Sequence, residues 1–240
     1  MIVIVGAMQQ EIAAVATAVA REGGTLSGVR VHTAVTGVGK VMAAMTVQRL
    51  IDQLQPRAVL MVGVAGGLNP ELEIGDVVAA ADTVQHDLDA TALGIPRGTV
   101  PFTSYRFIAA SPRLLTYAVQ VQLEGKTVSG RAVRLFSGRI LTGDQFMSRS
   151  AQQQCSYLRG ELAGDAVDME SAAVAQVCAV NKVPHLIVRV ISDTADGQAK
   201  VDFQRFLPVA GERILNMVQP ILARVASAEG AEQETPVIEC

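Results

Sequence analysis

Three short runs of apolar residues, Ile2 to Val5, Ala58 to Val64 and Leu186 to Ile191, are almost free of polar alternation, and each ends in a glycine or polar turn. Runs of that length and composition describe strands covered on both faces. Between them the apolar period changes to that of helices. Ile12, Val15, Ala16 and Val19 mark one stripe, Val47, Leu50, Ile51 and Leu54 a second, and Phe206, Leu207, Ala210, Ile214, Val218 and Ile221 a third. Strands alternating with helices throughout predict an α/β fold: a single-domain, three-layer sandwich with a central twisted mixed sheet flanked by helices.

The remaining segments fit this plan. Val29 to Thr36 and Arg131 to Leu141 read as strands, as does Ile74 to Val84 with Gly75-Asp76 as its leading turn. Ser111-Pro112 opens a helix running to about Leu123, since serine caps a helix and proline suits its first position. His86 to Tyr105, with Gly94, Pro96, Gly98 and Pro101 and no clear period, reads as a long loop. Residues 1–227 are expected to form one domain. Residues 228–240 lose periodicity and are expected to be a tail.

Composition narrows the class of function. The net charge is -3 and the 20 basic residues are scattered singly, which argues against nucleic acid as a partner. The longest apolar-plus-glycine run, Ala58 to Leu68, is too short to span a bilayer, which needs about 18 residues or more. No basic region precedes the first apolar residues, so no signal peptide is expected. Cys155, Cys178 and Cys240 share no metal or redox spacing, which fits a reduced, cytoplasmic setting.

Common catalytic motifs are missing. Gly37-Val38-Gly39-Lys40 lacks the first glycine and the hydroxyl residue of a phosphate-binding P-loop, and Met42 replaces the third glycine of a dinucleotide loop. Close backbone approach to some ligand remains open there. His32, His86 and His185 have no partner at metal-binding spacing, and no G-x-S-x-G forms a nucleophile elbow. No metal or cofactor is expected.

What remains is Glu11, Glu170 and Asp193, each at a strand end or helix start, with Arg189, which interrupts the run Leu186 to Ile191. Open α/β sheets keep their ligand sites at strand ends. Ala65-Gly66-Gly67 after one strand and Ser192 after another lie in the same kind of position. Each residue also has a plainer reading: Glu11 as a surface glutamate, Asp168 or Glu170 as helix-start charges, Arg189 as a salt-bridge partner and Asp193 as a turn residue. As a set they suit cleavage of a glycosidic bond, in which an acid protonates the leaving group and a carboxylate activates water.

Six collinear segments carry a resemblance: M-I-V-I-V-G-A-M-Q-Q-E at the N-terminus, V-T-G-V-G-K-V-M-A-A from Val35, V-G-V-A-G-G-L from Val62, T-G-D-Q-F from Thr142, V-D-M-E-S-A-A from Val167 and V-R-V-I-S-D-T-A-D from Val188. Over about residues 1–225 the chain resembles bacterial 5′-methylthioadenosine/S-adenosylhomocysteine nucleosidases, of nucleoside phosphorylase-like fold. The resemblance implies an adenine nucleoside and water as partners, and a homodimer. It implies Glu11 as general base, Asp193 as the acid at purine N7, Glu170 as the carboxylate on the ribose hydroxyls, and Arg189 as the residue orienting Glu11 and the water. It further implies Phe146 stacked on adenine, Met147 at the purine edge, Met169 beside the sugar and Phe203 near the 5′ substituent, with Val64, Ala65, Gly66, Asp168 and Ser192 also in the binding site. Departures include Val64, where serine is frequent, and Asp168, where glutamate is common. Leu93 and Ile95 stand where aromatics often lie in the loop that closes a neighbouring subunit's 5′ pocket. Three functions stay open: a hydrolase acting on methylthioadenosine, adenosylhomocysteine, 5′-deoxyadenosine or aminodeoxyfutalosine, a phosphorylase of the same fold, and a non-catalytic nucleoside-binding protein.

Overall fold

The computed structural model describes residues 1–147, 155–193 and 199–233, without the side chains of residues 199–205, 208 and 229–233. In chain order the elements are β1 (Ile2–Gly6), α1 (Gln9–Arg21), β2 (Thr25–Leu26), β3 (Val29–Val35), α2 (Lys40–Leu54), β4 (Ala58–Gly67), β5 (Val77–Gln85), β6 (Ile108–Ala109), α3 (Pro112–Val119), β7 (Leu135–Thr142), α4 (Tyr157–Gly160), β8 (Ala166–Asp168), α5 (Ser171–Val180), β9 (His185–Asp193) and α6 (Ala199–Gln233). The expected three-layer α/β architecture is the one observed.

The sheet runs β2-β3-β1-β4-β8-β7-β5-β6, and β9 pairs with both β4 and β5. Strand β9 lies parallel to β4 along its length and antiparallel to β5 over Val188–Val190. Strands β5, β7 and β8 are parallel in turn, and β8 returns antiparallel to the end of β4. The circuit β4-β9-β5-β7-β8 therefore closes on itself. Gly66 is the seam of this ring, because it registers with Asp193 on one side and with Val167 on the other. A register shift between Ala65 and Gly66 accommodates both.

Two apolar layers hold the sheet. On one face Ile4, Leu60, Val62 and Val188 pack with Ile12 and Val15 of α1 and with Ile214, Val218 and Ile221 of α6. On the other, Val5, Met61 and Ile187 pack with Val47 and Ile51 of α2 and Val174 and Cys178 of α5. Strand residues facing both layers explain why β1, β4 and β9 read as continuous apolar runs.

The structure departs from expectation at element ends. The segment expected as a strand from Ile74 begins only at Val77, because Gly75 takes a left-handed φ of 103° and the fully buried Asp76 accepts from the Glu73 and Arg134 amides. The strand expected from Arg131 begins at Leu135, since Arg131 is turned aside by ion pairs to Glu73 and Asp76. Helix α3 stops at Val119 rather than near Leu123. Residues 228–233, expected in the tail, continue α6, while residues 234–240 lie outside the described residues. The loop after β5 holds a 3-10 turn at Thr91–Leu93 and is tied down by Arg97, which pairs with Asp89 at 2.8 Å and covers the Tyr157 ring at 4.1 Å. Among the described residues no helix is long and apolar enough to cross a membrane.

Leu60 is fully buried in the middle of β4, against α1 and α6. Leu60→Ala is expected to lower the unfolding free energy by about 2–5 kcal/mol in a urea titration, and a loss below about 1 kcal/mol would contradict this packing.

Candidate active site

The ring's seam opens onto a cavity. Its walls come from every quarter of the chain: Ala7, Met8 and Glu11, then Val38, then Val64, Ala65 and Gly66, then Gln145, Phe146 and Met147, then Val167, Asp168, Met169 and Glu170, and finally Ser192 and Asp193. The structure thus gathers nearly all the residues singled out from the sequence. Phe203 falls within α6, but its side chain lies outside those described.

Glu11 is no surface glutamate, being only 1% exposed. Its Oε2 accepts from the Met8 amide at 2.8 Å and its Oε1 from the Val64 amide at 2.9 Å. The helix-start reading and the site reading therefore coincide, since the same carboxylate caps α1 and faces the cavity. Val64 contributes its backbone to Glu11, while its side chain packs in the core.

Glu170 sits where β8 passes into α5. Its Oε1 accepts from the Gly39 amide at 2.9 Å, with Gly39 in the left-handed region at φ 93°. The glycine turn, read from the sequence as failing the phosphate motifs but open to close backbone approach, presents its amide to the chain's own carboxylate. The next amide of α2, at Lys40, donates to Asp144 at 3.1 Å, and the Lys40 ammonium pairs with Asp87 at 2.6 Å and Asp144 at 3.4 Å. Three carboxylates engage the Gly39 and Lys40 amides and the Lys40 ammonium at this helix start.

Arg189 is fully buried and is not among the residues lining the cavity. It stands behind them. Its Nη2 lies 2.7 Å from Asp168 and 3.4 Å from Glu170, while its Nη1 is 3.9 Å from Glu11. The expected partnership with Glu11 is thus the longest of the three, and Asp168 is the main anchor. Asp168, expected to bind substrate, spends both oxygens on protein: Oδ2 accepts from Arg189 Nε at 2.8 Å and Oδ1 from Thr142 Oγ1 at 2.6 Å. Gly63 makes the arrangement possible. A Cβ there would collide with Arg189 Nη1 and fall 2.5 Å from Glu11 Oε1.

One guanidinium faces three buried carboxylates, so the site holds more negative charge than it neutralises. Burial pushes Glu11 upward, against the pull of Arg189 and of backbone hydrogen bonds. Glu170 rises to about 7, through burial first and then the charges of Asp168 and Glu11, with Arg189 opposing.

Asp193 ends β9, buried, with Oδ1 3.2 Å from where a Gly66 Cβ would stand. The Ser192 hydroxyl lies 3.2 Å from Asp193 Oδ2 and 3.4 Å from the Ala65 carbonyl. Phe146 is 49% exposed at the cavity's edge, while Met147 is buried. Sequence reasoning did not assign roles to Ala7, Met8, Val38, Gln145, Thr142 or Ser171. All six lie within or beside the six segments above, so adjacency was the available signal. Among the described residues no group of three or more His, Cys, Asp or Glu is placed to hold a metal ion.

Fold and site together define an α/β protein with a carboxylate-lined cavity at the ends of its central strands. A family model described as the phosphorylase superfamily matches residues 1–223. A 5′-methylthioadenosine/S-adenosylhomocysteine nucleosidase of Anoxybacillus flavithermus is 36% identical over 230 residues, covering 91% of this chain and 96% of its own. The crystal structure of the same-named enzyme of Neisseria meningitidis, in complex with methylthio-immucillin-A, matches with a TM-score of 0.79 and 33% identity, over 93% of this chain and 98% of that one. Futalosine hydrolase of Helicobacter pylori matches with a TM-score of 0.79 and 29% identity, over 93% of this chain and 97% of that one. The chain belongs to the 5′-methylthioadenosine/S-adenosylhomocysteine nucleosidase family of the phosphorylase superfamily.

A raised carboxylate favours the protonated form in the fold, so its contribution to stability is present at low pH and lost as pH rises. For Glu170 that window runs from about 4.3, the usual glutamate value, to about 7. Glu170→Gln is expected to flatten the fall in urea midpoint across this window, and parallel profiles for mutant and wild type would contradict the assignment.

Proposed function

We propose that the protein hydrolyses the N-glycosidic bond of 5′-methylthioadenosine and S-adenosylhomocysteine, releasing adenine and the 5′-thioribose sugar. The observation that carries this reading is the convergence of Glu11, Glu170 and Asp193 on one cavity. In the proposed mechanism Asp193 gives a proton to purine N7 as the C1′–N9 bond breaks, so adenine leaves neutral. Glu11 takes a proton from the water that attacks C1′. Glu170, ionised, accepts from the ribose hydroxyls and offsets positive charge growing on the sugar. Phe146 covers the purine, Met147 lies at its edge and Met169 beside the sugar. Arg189 acts from behind, as a positioning residue.

Hydrolysis is favoured over phosphorolysis by the start of α2, whose amides and lysine are engaged by Glu170, Asp87 and Asp144. A phosphate there would meet negative charge. The likeness to a futalosine hydrolase makes futalosine a substrate to compare, beside the aminodeoxyfutalosine and 5′-deoxyadenosine left open by the sequence resemblance. We also assign a homodimer, because Val41 and Val180 line a groove between α2 and α5 with Met45 exposed beside it at 64%. A cytoplasmic setting accords with the free thiols of Cys155 and Cys178.

Incubation with methylthioadenosine, with and without phosphate, is expected to release adenine and free methylthioribose in both cases. A sugar 1-phosphate would indicate a phosphorylase, and no adenine a binding protein. Asp193→Asn and Glu11→Gln are each expected to lower kcat by roughly 10²- to 10⁴-fold while the protein stays folded by circular dichroism. Near wild-type turnover in either variant would sink the mechanism. In light scattering the protein is expected at twice the chain mass of 25.3 kDa.

A further inference from the structure

Behind the cavity wall, two hydroxyls have their hydrogen bonding fixed in one direction. Thr142 Oγ1, at the end of β7, accepts from the Ala172 amide at 2.8 Å and so turns its own proton to Asp168 Oδ1, 2.6 Å away. Ser171 Oγ, at the start of α5, accepts from Arg189 Nε at 3.1 Å and donates to Asp168 Oδ2. Both side chains are buried, Ser171 and Thr142 being completely inaccessible. Neither has a spare donor for substrate. We infer that Ser171 and Thr142 are positioning residues, which hold the Asp168 carboxylate so that Arg189 presents its two terminal nitrogens to Glu11 and Glu170. This rests on the nucleosidase reading only for its effect on turnover.

The geometry makes the chain of contacts directional. Aspartate at position 168 is short, and it reaches only one edge of the guanidinium, through Nε and Nη2 on a single oxygen. The Ser171 hydroxyl bridges that same oxygen and Nε, which braces the guanidinium from the helix side. Thr142 holds the other oxygen from the strand side at 2.6 Å, beside longer contacts from the Ser171 and Glu170 amides at 3.2 and 3.3 Å. With Nε and Nη2 thus held, Nη1 is left to face the Val62 carbonyl at 3.5 Å and Glu11 at 3.9 Å, and Nη2 also reaches Glu170 at 3.4 Å. The groups facing Glu170 are Asp168 on β8, Arg189 on β9, Glu11 on α1 and the Gly39 amide on α2. Of these only Arg189 is a full positive charge. As it withdraws, the one cationic influence on Glu170 weakens while both anionic ones stay.

The test uses Ser171→Ala, Thr142→Val and Thr142→Ser in the full-length protein, with two readouts. With glutamate carboxyls labelled with carbon-13 and Glu170→Gln used to identify the resonance, Glu170 is expected to titrate near 7 in the wild type. Ser171→Ala and Thr142→Val should move that midpoint upward, and Thr142→Ser, which keeps the hydroxyl, should return it to the wild-type value. With methylthioadenosine, the first two variants are expected to lose about 10- to 100-fold in kcat with a smaller change in KM, and the acid limb of the pH profile should follow the Glu170 midpoint. An unmoved midpoint in Ser171→Ala overturns the inference whatever its rate, and that variant decides the question should Thr142→Val fail to fold. A wild-type protein that releases no adenine overturns the nucleosidase reading instead, leaving the titration to judge the coupling.

Discussion

The site depends on a guanidinium buried without access to water. Taking an ion of that size out of solvent costs several kcal/mol even after the protein relaxes. Arg189 recovers this through Asp168, Glu170 and Glu11, which are supplied by different parts of the fold. The interaction is reciprocal, for each of these carboxylates is also buried and would be costly alone. The surrounding architecture keeps the four groups together. Gly63 leaves space for the guanidinium, the β4-β9 register places Arg189 directly beside Gly63, and β8 brings Asp168 within reach.

Much of the architecture was legible in the sequence because it rests on periodicity. Strands β1, β4 and β9 are buried on both faces, and α1, α2 and α6 carry single apolar stripes, so their patterns declare their environment. Helix α6 is longer than its pattern implied, and it continues through Pro220 although proline disfavours helix interiors. Packing of Met217, Val218, Ile221 and Leu222 outweighs that local preference. The short elements β2, β6 and α4 were illegible for the opposite reason. They have two to four residues each, too few for any period to register.

The site was legible as a set of residue types and illegible as a geometry. Glu11 and Glu170 read equally well as helix-start charges, and Glu11 is one in fact, so spacing had no means of separating the two roles. The distinction lies in burial, which depends on strands far away in the chain. Ring closure through β8 and β9 is likewise absent from any local pattern, and it is what brings Gly66 between Asp193 and the strand that carries Asp168. The glycine turn at Gly37 to Gly39 fails the phosphate motifs, and the sequence offered only a close backbone approach there; in the structure its amide turns toward an anion. The anion proved to be Glu170.

The seam at Gly66 also has a consequence in time. The ring needs β9, and β9 is the last strand of the chain, so during synthesis β4 and β5 must wait until about four-fifths of the protein has been made before either finds all its neighbours. Until then Glu11, Asp168 and Glu170 have no cation and remain hydrated, and the strands that will flank Arg189 have an unfilled edge. Arrival of one strand supplies the missing backbone partner, the counter-charge and Asp193 in a single event. The catalytic constellation and the completed sheet are therefore one cooperative unit: a nascent chain that lacks the site also lacks the closed fold.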